Sequence, residues 1–265
     1  MKPLSLALTC AFLVSAGCGP QPGAGPPATR SPASPSATSS PSPPPVHVLV
    51  FSRTAAFRHA SIPAAVAAVE KLGAEHGYLV DATEDAGAFT DGNLARYRGV
   101  VFLLTTGDVL DASQQAAFER YVRAGGGFAG VHSASDTEYG WAWYGQLVGA
   151  YFKRHPAVQP AWVRIEDPGH PSTAALRASW RRADEWYDFR TNPRGAVHVL
   201  ATVDESTYTG GGMGADHPIA WCHAFDGGRS WYTAMGHAAE SYADPSFLSH
   251  LEGGIESVAG IRGTC

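Results

Sequence analysis

Histidine, arginine, carboxylate and aromatic side chains cluster in four short stretches of this 265-residue sequence. The stretches are Arg58-His59, His132 to Trp143, Asp184 to Asp188, and Gly236 to Glu240. Imidazole and carboxylate groups transfer protons near neutral pH and bind metal ions, while aromatic rings offer flat apolar surfaces. The four stretches are therefore the candidate catalytic and binding segments of the chain.

His132 directly follows Phe128 to Val131, a run of small and apolar residues that is typical of a central strand. Because ligands of open α/β sheets bind at the carboxyl ends of strands, His132 would lie where such a sheet forms its site. The alternative is a histidine that only caps a turn. The residues that follow, Asp136 and Trp143 among them, favour a functional site.

Glu185 precedes Trp186 and Tyr187 in the sequence, which indicates a carboxylate packed against aromatic rings. Such surroundings raise the pKa of a carboxyl group and suit it to acid–base catalysis. The alternative is an acid in a turn next to core aromatic residues.

The chain has 11 histidines, and three of them precede a proline. Proline restrains the residue before it to extended geometry, so it could hold an imidazole in place or simply end a strand. We assign His170 a structural role and regard His155 and His217 as site candidates.

Four histidines, His59, His132, His217 and His237, could converge on a metal ion together with a carboxylate. The sequence has no local ligand spacing such as H-E-x-x-H or paired C-x-x-C. It therefore names no metal ligands, and a divalent metal cofactor stays an open alternative to a metal-free site.

Strands and helices alternate in the first half of the folded region. Strands are predicted at 46–51, 77–83, 100–104 and 128–131, and helices at 62–76, 94–97 and 111–124. This alternation predicts a parallel sheet with helices on both faces. Further strands are predicted at 158–166, 196–203, 219–225 and 230–235, with helices at 141–148 and 246–251 and a hairpin turn at 226–229.

The N-terminus has the pattern of an exported lipoprotein. Lys2 precedes an apolar segment, Leu4 to Val14, that is too short to remain as a membrane-spanning helix. Ser15 to Cys18 resembles a bacterial lipobox, although Ser15 stands where a leucine is usual, so ordinary signal cleavage is the alternative. We predict a signal peptide over 1–18 with lipid on Cys18, a disordered Pro/Ser/Ala-rich tether over 19–45 and a folded domain over 46–265. The protein would then lie on the periplasmic or cell-surface side of a bacterial envelope.

The composition, 45% hydrophobic with a formal net charge of -5, fits one globular domain. The absence of basic runs argues against nucleic acid as a partner and against electrostatic docking to membranes. Composition does not define an oligomeric state. Cys222 and Cys265 are either a disulfide that ties the C-terminus to the core or two separate thiols.

Five separated segments resemble, in order, the ThuA-like (trehalose-utilisation) family of the class I glutamine amidotransferase-like superfamily. They are Phe57 to His59, Gly126 to Ser133, Asp184 to Tyr187, Asp216 to Trp221 and Gly228 to Tyr232. The resemblance covers the folded region and implies an α/β fold, a flavodoxin-like three-layer sandwich with a mostly parallel central sheet. It also links the chain to bacterial use of disaccharides through 3-keto-sugar intermediates.

The chain departs from the amidotransferases at the turn that follows the strand at 128–131. Those enzymes carry a nucleophilic cysteine there, whereas this chain has His132, with Ser133 one residue further on. Amidotransfer through a thioester is therefore not expected.

We expect an exported, carbohydrate-active protein that cleaves a keto-sugar glycoside or disaccharide by lyase-type or hydrolase-type acid–base chemistry. A ketone acidifies the neighbouring C–H, so a base can remove that proton and the glycosidic group can leave. The expected catalytic roles are His132 as base, Glu185 as acid, and His59 or a metal as the group that stabilises the enolate.

The expected substrate-binding residues come from the same stretches and from a His-Pro pair: Arg58, Asp136, Trp143, Trp186, Tyr187, His217 and His237. One alternative function is a tethered carbohydrate-binding lipoprotein without turnover, which would need the aromatic residues but no acid–base pair. Another is ordinary glycoside hydrolysis by Asp136 and Glu185, which requires a defined separation of the two carboxyl groups.

Overall fold

The computed structural model describes residues 11, 13, 15–19, 23, 25, 45–263 and 265. The predicted signal peptide and tether lie largely outside the described residues. Cys18 is described and is exposed, and lipid attachment there stays a prediction. Within the described part of the chain, no helix is long and apolar enough to cross a bilayer.

Strands and helices alternate along the first half of the domain, as the hydrophobic pattern predicts. The elements are β1 (Val46–Phe51), α1 (Ile62–His76), β2 (Tyr78–Thr83), α2 (Asp91–Leu94), β3 (Gly99–Leu103), α3 (Ala112–Arg123) and β4 (Gly127–Val131). β1 pairs in parallel with both β2 and β3, and β3 pairs in parallel with β4. These strands form the parallel part of the central sheet.

The second half adds more strands and two helices. They are α4 (Ala142–Val148), β5 (Phe152–Arg154), β6 (Gln159–Ile165), β7 (Ser179–Asp184), β8 (Asp188–Phe189), β9 (His198–Val203), β10 (Pro218–Phe225), β11 (Gly228–Thr233) and α5 (Pro245–Ala259). The nine-stranded sheet has the order β2-β1-β3-β4-β11-β10-β9-β6-β7, and β5 pairs with β8 separately. β11 joins β4 in parallel, and the strands beyond β11 pair antiparallel. The expected α/β fold with a large, mostly parallel central sheet is confirmed.

A two-residue turn joins β10 to β11. Asp226 and Gly227 have φ values of 47° and 90°, and positive φ at both central residues is the signature of the type I′ hairpin turn. The tight turn places β11 directly beside β10, and the other edge of β11 pairs in parallel with β4. The chain that leaves β11 therefore emerges next to the chain that leaves β4, which brings His237 towards His132.

Helices cover both faces of the sheet. Neighbouring residues of β4 show this, since their side chains point to opposite faces. Phe128 packs with Phe102, Phe118 and Tyr144, which places α3 and α4 on one face. A side chain at Gly127 would instead collide with α5, which lies on the other.

Helix α5 extends to Ala259, well past the end predicted from the sequence. The prediction was too short because two glycines in the middle of the helix are typical of a helix end. A Cβ atom on Gly253 would collide with the backbone of Pro171, and one on Gly254 with the ring of Trp231. The glycines let the helix lie close against its neighbours, so they serve packing rather than helix termination.

A disulfide joins Cys222 of β10 to Cys265, with the two Cα atoms 5.8 Å apart. Of the two alternatives that the sequence left open, the structure contains the bridge, and it ties the C-terminus to the central sheet.

Candidate functional site

His132 occupies a strained turn at the carboxyl end of β4. Its φ is 52°, a left-handed conformation that costs a residue with a Cβ atom roughly 1–2 kcal/mol. The surroundings hold it there: Tyr232 donates a hydrogen bond to the His132 carbonyl at 2.8 Å, and Nδ1 lies 2.6 Å from the carbonyl oxygen of Ala234. Strain of this kind, stabilised by several contacts, is typical of functional sites.

Three further polar side chains converge on His132. His59 comes from the loop after β1, Glu185 follows β7, and His237 follows β11. One ligating atom from each of the four residues lies within 4.8 Å of the others. Because β1, β4 and β11 belong to the parallel part of the sheet, their carboxyl ends meet at one edge and bring the three histidines together. We call His59, His132, Glu185 and His237 the histidine–glutamate cluster.

Glu185 lies between three imidazoles. Its Oε2 is 3.4 Å from His132 Nε2 and 3.2 Å from His237 Nδ1, and its Oε1 is 3.2 Å from His155 Nδ1. Burial raises the pKa of the Glu185 carboxyl, but the adjacent His132 and His237 more than offset burial and hold the pKa well below its usual range. The expectation of a raised pKa is therefore wrong, and an ionised Glu185 is poorly suited to the role of proton donor.

The histidines of the cluster differ in charge. The neighbouring Glu185 raises the pKa of His237, against the effect of partial burial. Burial and the adjacent imidazoles of His132 and His237 lower the pKa of His59 to about 3. Near neutral pH, His59 is therefore neutral, whereas Glu185 favours the protonated form of His237.

Asp184 fixes the backbone that carries two members of the cluster. Its Oδ2 accepts hydrogen bonds from the Gly236 N–H at 3.0 Å and from Arg182 at 2.8 Å. Its Oδ1 accepts from the N–H groups of His237 at 3.1 Å and Glu185 at 3.0 Å. Asp184 is only 1% exposed, so this carboxylate connects the end of β7 to the loop after β11 inside the protein.

A cavity of about 270 Å³ opens beside the cluster. It is lined by Phe57, His59, Asp136, Phe152, His155, Glu185 and Tyr187. Tyr187 packs against the ring of His132 at 4.3 Å and against Phe152 at 4.2 Å. The cavity therefore has aromatic walls and polar groups from the cluster on one side.

Asp136 is the second carboxyl group of the cavity. Burial raises its pKa, partly opposed by a hydrogen bond that the Tyr139 hydroxyl donates to Oδ1 at 2.6 Å. Glu185 and Asp136 thus have pKa values displaced in opposite directions. Such a separation assigns different roles to two carboxyl groups of one site, and a carboxyl group with a raised pKa is the better one for moving a proton.

Several residues expected to bind substrate lie outside this cavity. The Arg58 side chain is exposed and pairs with Glu84 at 2.6 Å. Trp143 stacks on Trp141 with a centroid distance of 5.1 Å and donates its indole N–H to Asp226 at 2.7 Å. Both side chains are occupied by contacts away from the cluster.

Trp186 and His217 are core residues. Trp186 is 1% exposed and donates its indole N–H to the Gln159 carbonyl. The fully buried His217 bonds through Nε2 to the Tyr187 carbonyl at 2.8 Å and approaches Glu205 through Nδ1. His217 therefore does not join the other three histidines; it supports the segment that carries Tyr187.

The sequence interpretation left out three residues that the structure places at the site: Phe57, Phe152 and Asp184. Phe57 belongs to a segment of the family resemblance, so its position was available as a signal. Asp184 also begins a segment of the family resemblance, although its role depends on backbone contacts made more than 50 residues away. Phe152 lies in a three-residue strand, which leaves no sequence pattern. His155, a candidate from its His-Pro pair, does line the cavity.

Fold and site define an α/β domain with a histidine-rich centre at the carboxyl edge of its parallel strands. The family model for trehalose utilisation, ThuA, matches residues 47–257. Because the match spans most of the chain, the chain belongs to the ThuA family.

Two solved structures are similar in fold. A protein described as ThuA-like from Bacteroides uniformis is 25% identical, with a TM-score of 0.69 over 82% of this chain and 93% of that one. Another described as ThuA-like, from Parabacteroides merdae, is 18% identical, with a TM-score of 0.68 over 83% of this chain and 91% of that one. No curated protein matches the chain.

Proposed function

We propose that this ThuA-family protein is an enzyme that cleaves a keto-sugar glycoside by removing the proton next to the ketone. The observation that carries the proposal is the composition of one cavity: Asp136, with a raised pKa, lines it together with His59 and Glu185 of the cluster. Enolate formation requires a base and a hydrogen-bond donor for the developing oxygen, and the neutral imidazole of His59 has one ring N–H to donate.

In the proposed reaction, ionised Asp136 takes the proton from the carbon between the ketone and the anomeric carbon. The electron pair of that C–H bond forms the enolate, whose oxygen faces His59 of the histidine–glutamate cluster. The enolate then expels the glycosidic oxygen, which leaves as an alcohol after it gains a proton, and His155 lines the cavity as a candidate donor. A double bond remains between the anomeric carbon and the carbon that lost the proton.

This proposal changes the expected role of His132. The His132 side chain is fully buried and is not part of the cavity lining, and its Nδ1 is engaged with the Ala234 carbonyl. Asp136 is therefore better placed than His132 to meet a substrate C–H. Hydrolysis with Glu185 as nucleophile is disfavoured, because three imidazoles surround that carboxylate.

A sugar fits the shape and lining of the cavity. Its volume of about 270 Å³ is near the small end of the range for ligand sites, roughly 300–1,000 Å³, which suits a single sugar ring. Phe152 and Tyr187 line the interior, and Phe57 lines it with 63% of its own surface exposed. Aromatic rings of this kind can pack on the apolar face of a sugar, and the family description, trehalose utilisation, supports a carbohydrate.

Product analysis tests the proposal. The chain is incubated with a native disaccharide and with its 3-keto derivative, and the products are separated and identified by mass spectrometry. We expect cleavage of the keto derivative, and Asp136→Asn should slow it by a factor of about 100 or more, the scale of losing a general base. The matched control is Asp108→Asn, because Asp108 is exposed and is not part of the cavity lining.

Two outcomes would contradict the proposal. Undiminished cleavage by Asp136→Asn would place the base elsewhere. Binding of sugar without cleavage of either disaccharide would favour the alternative, a carbohydrate-binding protein without turnover.

We also propose that the protein is exported and anchored by lipid at Cys18. The apolar segment after Lys2 and the small residues before Cys18 support this location. Cys18→Ala should move the protein from the membrane fraction to the soluble fraction of cells, and retention of the variant in membranes would contradict the proposal.

A further inference from the structure

We propose that the histidine–glutamate cluster is a binding site for one divalent transition-metal ion, with His59, His132, His237 and Glu185 as its ligands. Imidazole nitrogens with one carboxylate oxygen are a donor set that suits Zn²⁺ and its first-row neighbours rather than Mg²⁺ or Ca²⁺. The inference concerns the same site as the proposed function, but metal binding can be measured without any substrate.

The spacing of the donor atoms matches a metal centre. Nitrogen and oxygen ligands held about 2.0–2.1 Å from a tetrahedral ion are separated from one another by about 3.4 Å. In the cluster, Glu185 Oε2 lies 3.4 Å from His132 Nε2 and 3.2 Å from His237 Nδ1. His59 also presents a ring nitrogen within 4.8 Å of the other donor atoms, so small side-chain adjustments would bring all four donor atoms to one ion.

Two of these donor atoms lack a hydrogen-bond partner among the described residues. His132 Nε2 and His237 Nδ1 are buried, and neither is aligned for a hydrogen bond with the nearby Glu185 carboxylate. A buried polar atom without a partner is unfavourable, because it has lost its hydrogen bonds to water and gained none in the protein. A metal ion between the three side chains would satisfy both nitrogens at once.

The outer contacts of His132 leave the correct nitrogen free. Nδ1 lies 2.6 Å from the Ala234 carbonyl, an acceptor only, so Nδ1 carries the proton and donates. In the neutral imidazole with that proton, Nε2, which faces Glu185, has a lone pair. Metal-bound histidines commonly use the remaining ring nitrogen in this way, which orients the ring and sets the tautomer.

The other groups of potential ligands already contain a cation. Asp188, near Glu205 and His217, has the Arg154 guanidinium 2.6 Å from its Oδ2. Glu252, near His76 and Glu256, pairs with Arg262 at 2.6 Å. Within the described part of the chain, the ion pairs of Glu185 are instead with histidines, so no Arg or Lys side chain supplies the positive charge that a metal would bring.

The cluster borders the cavity on one side, through His59 and Glu185. A metal bound there would meet both the protein and whatever occupies the cavity, as catalytic metal ions do and buried structural ones do not. The substrate class that follows has an oxygen able to join the four side chains as a fifth ligand of the ion, such as the ketone oxygen of a keto-sugar.

Metal binding to the full chain tests the inference. The protein is stripped with a chelator, dialysed and titrated with Co²⁺ or Zn²⁺, with calorimetry for stoichiometry and Co²⁺ visible absorption for coordination by nitrogen and oxygen. We expect one ion per chain. His59→Ala and Glu185→Gln should each weaken binding by a factor of at least about 100, since loss of outer contacts alone costs 10–100-fold.

The matched control is His198→Ala. His198 is exposed and pairs with Asp167 at 2.8 Å, so its removal should leave metal affinity unchanged. Circular dichroism of each stripped variant shows whether it is folded, and His59→Ala and Glu185→Gln provide independent tests if one of them is not. No stoichiometric uptake by folded wild-type protein, or equal losses in His198→Ala and His59→Ala, would overturn the inference.

The metal site and the proposed reaction fail in different ways. One bound ion without cleavage of the keto-disaccharide would keep the metal site and reject the reaction. Full cleavage by chelator-stripped protein that binds no ion would keep the reaction and reject the metal site.

Discussion

The contacts of Asp184 lead to a quantitative prediction for the variant Asp184→Asn. The wild-type carboxylate accepts hydrogen bonds from Arg182 and from the N–H groups of Glu185, Gly236 and His237. Both of its oxygens therefore face donors. The asparagine amide has one NH₂ group, which would meet an N–H donor whichever way the amide turns.

The size of the effect follows from burial. Asp184 is 1% exposed and Arg182 is 8% exposed, so the substitution removes the nearer carboxylate of a buried guanidinium, whose other acidic neighbour, the partly exposed Asp244, is 3.8 Å away. Removal of one member of a buried ion pair typically costs about 3–5 kcal/mol. We expect the free energy of unfolding to fall by that amount, with the loop that carries His237 losing its fixed position.

Urea or guanidinium denaturation of the wild type and the variant measures the change. Asp91→Asn is the control, because the ion pair of Asp91 with Arg120 is exposed and its loss should leave stability near that of the wild type. A decrease of less than about 1 kcal/mol for Asp184→Asn, the scale of a single ordinary hydrogen bond, would refute this interpretation of Asp184.

Three further predictions concern stability and binding. Cys265→Ser opens the Cys222–Cys265 bridge, which spans 43 residues, and should lower the unfolding free energy by up to about 4 kcal/mol in the chain-entropy model; an unchanged denaturation midpoint would contradict it. Burial lowers the pKa of His170 to about 4, so the folded state favours the neutral imidazole. The resulting contribution to the free energy of unfolding is complete above the unfolded pKa of about 6.5 and is lost as pH falls towards 4. His170→Asn, which keeps an acceptor for the Ser172 N–H, should therefore show a smaller loss of stability between pH 6.5 and 4. Phe57→Ala should weaken keto-sugar binding in calorimetry, whereas Trp143→Phe should not, and the opposite ranking would argue against the cavity as the sugar site.

Much of the fold follows from local sequence patterns. Continuous apolar runs mark β1, β3 and β4, and Ile62–His76 has the predicted helix bounds. The short strands β5 and β8 and the strand β7 escape sequence analysis, because they are too short or too polar to show periodicity. The length of α5 is not predictable from the sequence either, because Gly253 and Gly254 are typical of a helix end and only the structure shows their close packing.

The site is only partly predictable for a related reason. His59, His132 and His237 follow strands of the parallel part of the sheet, so topology brings them together and sequence position identifies them. Trp186 instead packs in the core, and Trp143 makes contacts away from the site. The sequence alone does not show which way a tryptophan ring points. The lowered pKa of Glu185 was not predictable either, because it depends on histidines that come from distant segments of the chain.

Proton exchange at the carbon next to the ketone is the most direct test of the proposed function. A 3-keto-sugar without a leaving group at its anomeric carbon is incubated with the protein in D₂O and followed by NMR. We predict loss of the proton signal at the carbon between the ketone and the anomeric carbon, slowed about 100-fold or more by Asp136→Asn and unaffected by Asp108→Asn. Cleavage of the keto-disaccharide by wild-type protein with that proton fully retained, and no exchange in the analogue, would contradict the proposed elimination.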